Sequence, residues 1–278
     1  MKRLTTSVVA ILFILLSISL QAQLVGDMDD ESKLYAETKQ VNQFFRRFNG
    51  EEDEKGERYY PKDRQYQNPK LRKQYIQILF DNSNQNLALD LKKDFIDDVL
   101  DKSDPDFLEF KGENWFAEVS TIFKANGKSQ PITLFLRLEK AHLGRQWGIF
   151  KVHSDAWAKY FDRDTTEVHQ FLHPLSHELE FMNLRKAFAN KDSVNQFAVR
   201  DFEPDLLSIF IYELSKGTYK FETVTDVKFH FFQIDNWYFE LSQFNRKGYN
   251  TGWLISNLTK LNTSKDEKLL KKYLFYEN

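Results

Sequence analysis

The sequence predicts an α+β protein built in two similar halves, each with helices first and an antiparallel meander after. Three observations carry this reading. Apolar residues recur at helical spacing in KQVNQFFRRFNG and again in LEFMNLRKAFAN. Apolar and polar residues alternate in PITLFLRLEK and again in WYFELSQF. Each alternating stretch is followed by a glycine-containing turn and a Trp-led strand, RQWGIFKV in the first half and TGWLISNL in the second.

The chain opens MKRLTTSVVAILFILLSISLQAQ, with Lys2 and Arg3, an apolar run from Val8 to Leu20, and a small residue at Ala22. That order is the one a secretory signal peptide has, with cleavage after Ala22. A retained anchor is the lesser reading, because a spanning helix needs about 20 apolar residues and this run is shorter and meets Gln21 and Gln23. The expectation is export to a periplasmic or extracellular space, with no membrane insertion after processing. Residues 23–155 are then read as the first module and residues 156–278 as a second, shorter one that includes a connecting helix.

In the first half Val41, Phe44, Phe45 and Phe48 fall at i, i+3, i+4 and i+7, and Asn49-Gly50 supplies the stop because both residues tolerate positive φ. YIQILF and LALDLKKDFIDDVL follow as further helical segments. NWFAEVSTIFK then reads as a strand, turned by Asn126-Gly127 into PITLFLRLEK, where Ile132, Leu134, Leu136 and Leu138 share a face opposite Thr133, Arg137 and Glu139. Gly144 marks the next turn. The connector AWAKYFDRDTTEVHQFLHPLS predicts a short helix whose Trp157, Tyr160 and Phe161 join the halves. In the second half Phe181, Leu184 and Phe188 line a helix, DLLSIFIYELSKG ends at Gly217, and VTDVKFHFFQI turns at Asp235-Asn236. In WYFELSQF, Trp237, Phe239 and Leu241 oppose Tyr238, Glu240 and Ser242. The competing reading is one domain whose sheet has two similar hairpins.

Composition sets the limits. Without cysteine there is no disulfide, thiolate nucleophile or thiolate metal site. Loss of residues 1–22 removes two basic residues and no acid, taking the formal charge from −2 to −4. Neither sign dominates, so no footprint for nucleic acid or an anionic membrane exists. A hydrophobic fraction of 41% excludes wholesale disorder, and 26 Phe, 12 Tyr and 5 Trp fill cores with few residues.

The stretch from Trp115 to Val152, with its pattern W…NG…LFLRLEK…G-x-x-W-x-I…V, resembles the NTF2-like superfamily (SnoaL-like and cystatin-like α+β proteins). Val224 to Leu258 is similar but weaker. The resemblance implies a tandem pair of modules, each a curved antiparallel sheet wrapped on helices, leaving a pocket or a pairing surface. It implies no activity, because such a fold hosts enzymes, binders and assembly modules alike. The Asp/His acid–base pairs of enzymatic members have no assignable counterpart here.

Candidate sites were weighed against plainer readings. His169, His173 and His177 stand at four-residue spacing, but Pro174 breaks the helical face at His173, and Ser176 with Glu178 starts a new helix. A joint between helices accounts for the stretch better than a metal site. His153-Ser154-Asp155 has the residue types of a nucleophilic triad, yet adjacency in sequence does not place triad members together. No Gly-rich phosphate loop is present, and no catalytic residue or cofactor is predicted. Trp115, Trp147, Trp237 and Trp253 fall on strands and are candidates to line a pocket, with burial in the core as the commoner fate. The charged stretch Gly50 to Gln74 is read as a long loop offering Tyr59, Tyr60 and Tyr66 to a partner.

The expectation is a non-catalytic binding or assembly protein of the cell envelope, contacting a protein partner or a second copy through open sheet faces and the loop 50–74. The alternative is a pocket for a small molecule or glycan, SnoaL-like in an enzymatic version, with His142, His153 or His230 facing a cavity beside a carboxylate.

Overall fold

The computed structural model describes residues 41–53, 55–142, 144–161, 188–189, 194–195, 197–199, 202–247 and 250–277. The proposed signal segment, the helix LEFMNLRKAF except Phe188, and His169, His173 and His177 lie outside the described residues. The described chain is α+β. Its strands β1 (Trp115–Ala125), β2 (Lys128–Ala141), β3 (Gly144–His153), β4 (Tyr219–Phe231), β5 (Trp237–Phe244) and β6 (Gly252–Lys260) form one six-stranded sheet in the order β3-β2-β1-β4-β5-β6. The two meanders foreseen in the sequence therefore meet in a single sheet, joined by antiparallel pairing of β1 with β4. Two compact units emerge from the contacts: the chain as far as Phe110 with Gln243–Ser256, and Lys111–Ser242 with Asn257 onward.

Unit one is a helical cluster carrying a strand turn. Helix α1, described over residues 41–48, buries Val41, Phe44, Phe45 and Phe48 as its stripe predicts. It stops where Gly50 takes φ 71°, with its N–H on the carbonyl of Arg47 and that of Glu51 on Arg46. A Cβ at Gly50 would also lie 3.3 Å from the Cα of Gln67, so close approach as well as φ calls for glycine. Helix α2 (Pro69–Ile78) starts with Asn68 accepting from the N–H groups of Lys70 and Leu71, and with Pro69 at N1. This corrects the expected loop: residues 69–74 are helical, because an Asn-Pro pair is a helix start as well as a turn. Helix α3 (Leu89–Val99) turns Phe95, Ile96 and Val99 inward, and Phe95 meets the rings of Phe48 and Phe80.

What remains of the loop is tied down. Gln67 N–H donates to Gly50, Tyr59 N–H to Glu51, and Asp53 N–H to Glu57. Beneath it lies Arg72, whose Nε donates to the carbonyl of Phe48 at 2.8 Å and whose Nη2 donates to that of Asp106. The guanidinium stacks on Phe107 at 4.1 Å. Burial lowers its pKa to about 10, against the opposing pull of Asp106 and Glu51, so it stays charged at neutral pH. The strand turn is clamped to the helices by Arg246, which reaches Asp81 at 2.7 Å, Ser83 at 2.6 Å and the carbonyl of Asn250 at 2.6 Å. Ile255 also bridges the backbone of Leu79 and Asp81.

Unit two holds strands β1 to β4, most of β5 and the end of β6, with helices α4 (Asp155–Ala158), α5 (Leu206–Ser215) and α6 (Ser264–Leu274). Asn126-Gly127 takes φ 51° and 75°, the double positive of a type I′ hairpin, so the foreseen turn forms. Pairing of β1 with β2 is unbroken from Ala117 to Ala125, which puts Phe116 and Phe123 on opposite faces. Bulges in the β1–β4 and β2–β3 pairings curve the sheet. Phe123, Ile132 and Val152 pack with Trp157 and Phe210 on one face. Phe116, Phe135 and Tyr238 pack on the other, where Leu270, Leu274 and Phe275 of α6 and the residue after it lie over them. Helix α6 is fixed by a capping box between Thr263 and Asp266.

Candidate functional site

A cleft of about 480 Å³ opens in unit one, within the size range of ligand pockets. Helix α1, the end of α2 and the strand turn enclose it. Its walls include the buried Phe44 of the α1 stripe, Leu79 just past α2, and Trp253 and Leu254 from a run of buried residues in β6. Its accessible lining is polar, with Gln43 and Arg47 from α1 and Gln243, Asn245 and Thr251 from the turn. Arg47 is the one ionisable group among the described lining residues.

The arrangement around Arg47 follows from local sequence. Arg46 and Arg47 occupy the last turn of α1, where the helix dipole favours cations. Glu52, just past the Gly50 reversal, is folded back beneath them and is buried. Its carboxylate accepts from Arg46 Nε at 2.6 Å and ion-pairs with Arg47 Nε at 3.4 Å. Among the described residues, two guanidinium groups thus share one carboxylate, with one positive charge in excess. Neither terminal nitrogen of Arg47 donates a hydrogen bond to a described residue, and its side chain is 27% exposed.

Unit two holds a different constellation. His230 is fully buried, with Nδ1 2.9 Å from the Tyr238 hydroxyl and Nε2 2.8 Å from Glu118 Oε2. Its ring stacks on Phe116 at 4.8 Å. The registers Phe116↔His230 and His230↔Glu240 bring these side chains onto the face that α6 covers. Burial, then the charges of Glu240 and Glu118, raise the Tyr238 pKa far above its ordinary value, so its hydroxyl keeps its proton. Tyr238 therefore donates to Nδ1, and Nε2–H donates to Glu118. In the sequence His230 shares a face with Lys228 opposite Val227, Phe229 and Phe231, which suggests an outward position; in the fold it is fully buried, on the face that the α6 residues cover. The dyad is packed among the rings of Phe116 and Tyr238.

The candidate residues are dispersed. Trp115 stacks on Phe231 and meets Trp147 edge-on, both at 5.3 Å, in unit two. Trp237 is buried there with Lys260 Nζ 5.0 Å from its ring centre. Of the four tryptophans, Trp253 lines the unit-one cleft. Tyr59 approaches the Tyr75 hydroxyl at 3.3 Å and Tyr66 reaches Glu51 at 3.5 Å, while Tyr60 is 61% exposed. His153 pairs with Asp155 at 3.0 Å and stacks on Tyr276 at 4.1 Å, whereas the buried Ser154 hydroxyl makes no hydrogen bond to a described residue. Among the described residues no triad contact exists. Among the described residues no group of His, Asp or Glu could hold a metal ion, and no helix is long and apolar enough to cross a membrane.

Sequence reasoning passed over Arg47. The one signal was a pair of adjacent arginines beside an aromatic stripe, followed five residues later by Glu52. Compared with protein-family models, curated proteins and solved structures, the chain matches none of them.

Proposed function

We propose that this is an exported, non-catalytic binding protein whose ligand site is the unit-one cleft. The observation that carries the reading is the cleft itself: ligand-sized, floored by Trp253 and lined by hydrogen-bonding side chains. It supports the small-ligand alternative over the surface-contact reading, because helices and aromatic clusters occupy both faces of the central strands. Export rests on the order of charges and apolar residues in Met1 to Ala22, and a mature chain beginning at Gln23 by mass spectrometry is the expected check. The accompanying fold reading is a pair of NTF2-like halves. Its support is the repeated strand–turn–strand plan and a strand order that reads the same from either end of the sheet.

A thermal-shift screen of polar metabolites and sugars against the intact protein tests the cleft. At least one compound is expected to raise the midpoint of the wild type and leave an Asn245→Trp variant, with the cleft filled, unmoved. A screen in which every hit acts equally on both proteins would refute the site.

A second reading, self-association, is favoured by one surface in unit two. Ile211 and Tyr212 of α5 are 56% and 58% exposed, and Phe221 and Val224 of β4 in the same unit are exposed as well. Light scattering of the wild type and of Ile211→Glu decides it: a dimer that the charge dissociates is expected, and a wild-type monomer ends it.

A further inference from the structure

We propose that the unit-one cleft takes a polyhydroxylated carboxylate, a sugar acid, with its carboxylate held by the terminal nitrogens of Arg47. This rests on the cleft being the ligand site and adds the ligand's charge and class. The terminal nitrogens of Arg47, which donate to no described residue, form a planar fork that matches a carboxylate in two parallel hydrogen bonds. The surroundings select a monoanion. Arg46 and Arg47 face one carboxylate, Glu52, so a single positive charge is left over. No acid is among the described residues lining the cleft. A phosphate dianion would bring a second negative charge to the carbonyl end of α1, where the helix dipole opposes it and no second cation is among the described lining residues. The neighbouring Arg246 is already engaged by Asp81 at 2.7 Å and does not line the cleft.

The rest of the lining sets the remainder of the ligand. Gln43, Gln243 and Asn245 carry both donors and acceptors, the complement that hydroxyl groups require. Trp253 and Phe44 are buried, so they shape the floor and exclude water without offering a broad apolar face. A fatty or aromatic acid would find little apolar surface to cover; a hydroxylated ring would find a partner for most of its edges.

The test is calorimetric titration of the intact protein with sodium D-glucuronate, D-glucose and inorganic phosphate, repeated with Arg47→Gln and Arg47→Lys. Glucuronate is expected to bind at least about tenfold more tightly than glucose or phosphate, and more weakly as salt rises. Arg47→Gln should lower glucuronate affinity to that of glucose. Arg47→Lys, which keeps the charge and loses the fork, should fall between. Glu52 retains Arg46 in both variants, and their melting profiles report whether they fold. Glucose binding as tightly as glucuronate, indifference to Arg47→Gln, or preference for phosphate would each overturn the inference while leaving the cleft a ligand site. Binding of none of the three probes overturns it as well. The cleft reading itself stands or falls separately, on the comparison with Asn245→Trp.

Discussion

Replacing His230 with Phe isolates the polar network in unit two from the packing around it. Phe keeps the volume and the stacking on Phe116 at 4.8 Å. What it removes is two hydrogen bonds, at 2.9 Å to Tyr238 and 2.8 Å to Glu118. The Tyr238 hydroxyl is left buried without its acceptor, costing about 1–3 kcal/mol, and Glu118 loses a bond to a charged group, about 1.5–3 kcal/mol. Glu118 keeps some contact with water, so the lower half of its range applies. Greater apolarity of the Phe ring returns part of this, and about 3 kcal/mol of destabilisation is expected. Tyr238→Phe alone should cost about 1 kcal/mol, because it withdraws a neutral donor and strands no buried group except one imidazole lone pair. The double variant should be about 1–2 kcal/mol more stable than the two single losses added together, since no hydroxyl is orphaned in it. Urea unfolding followed by tryptophan fluorescence measures all three. A His230→Phe variant within about 0.5 kcal/mol of the wild type, or strictly additive losses, would refute the network as a stabilising unit.

Further outcomes follow from the same geometry. Arg72→Lys should destabilise by about 2 kcal/mol in urea, because one ammonium on a flexible stem cannot bridge the carbonyls of Phe48 and Asp106 while lying on Phe107. Tyr238 has its pKa raised by burial, so the folded state holds its proton longer than the unfolded chain does. Stability from this group is complete below the ordinary value of 10.0 and falls as pH rises beyond it; Tyr238→Phe should flatten that fall in melts between pH 9 and pH 11, about one unit either side of that value. Asp81 behaves oppositely. Burial pushes its pKa up, but hydrogen bonds from Ser83 and Arg246 outweigh this and hold it below 3.8. Its contribution is present above 3.8 and is lost as pH falls through the depressed value, so Asp81→Asn should lower stability at neutral pH and show a shallower acid loss.

The elements of this fold were legible where local chemistry decides them. The i, i+3, i+4, i+7 stripe of α1 is buried in full, Gly50 and Gly217 take the left-handed conformation that helix ends favour, and Asn126-Gly127 makes its hairpin turn. The faces of the strands were less legible, because alternation reports how many polar atoms a face carries and says little about what covers it. Tyr238 and His230 read as the outer side of their strands, yet Tyr238 is covered by Leu270 and Leu274 of α6 and His230 is buried between Phe116, Tyr238 and Glu118. The length of the stretch from Gly50 was misread for a related reason. Charged residues mark solvent contact equally in a loop and on the outside of a helix, and at Asn68-Pro69 the capping geometry is the deciding signal.

The candidate site was harder to see than the fold, and the reason is physical. A binding residue must leave hydrogen-bonding capacity unused, and sequence reports capacity but never its use. Arg46, Arg47, Arg72 and Arg246 look alike as letters. In the folded chain Arg72 spends its donors on two carbonyls, Arg246 on Asp81, Ser83 and Asn250, and Arg46 on Glu52. Arg47 differs only because Glu52 already serves its neighbour, and because Gln243 and Asn245, nearly two hundred positions later, stand across the cleft from it. The same logic separates the tryptophans: Trp115, Trp147 and Trp237 lie against other rings or a lysine in unit two, and Trp253 lines the unit-one cleft. Function in this protein is therefore sought where the fold leaves a charged donor and a cavity unfilled together, and that coincidence occurs at Arg47.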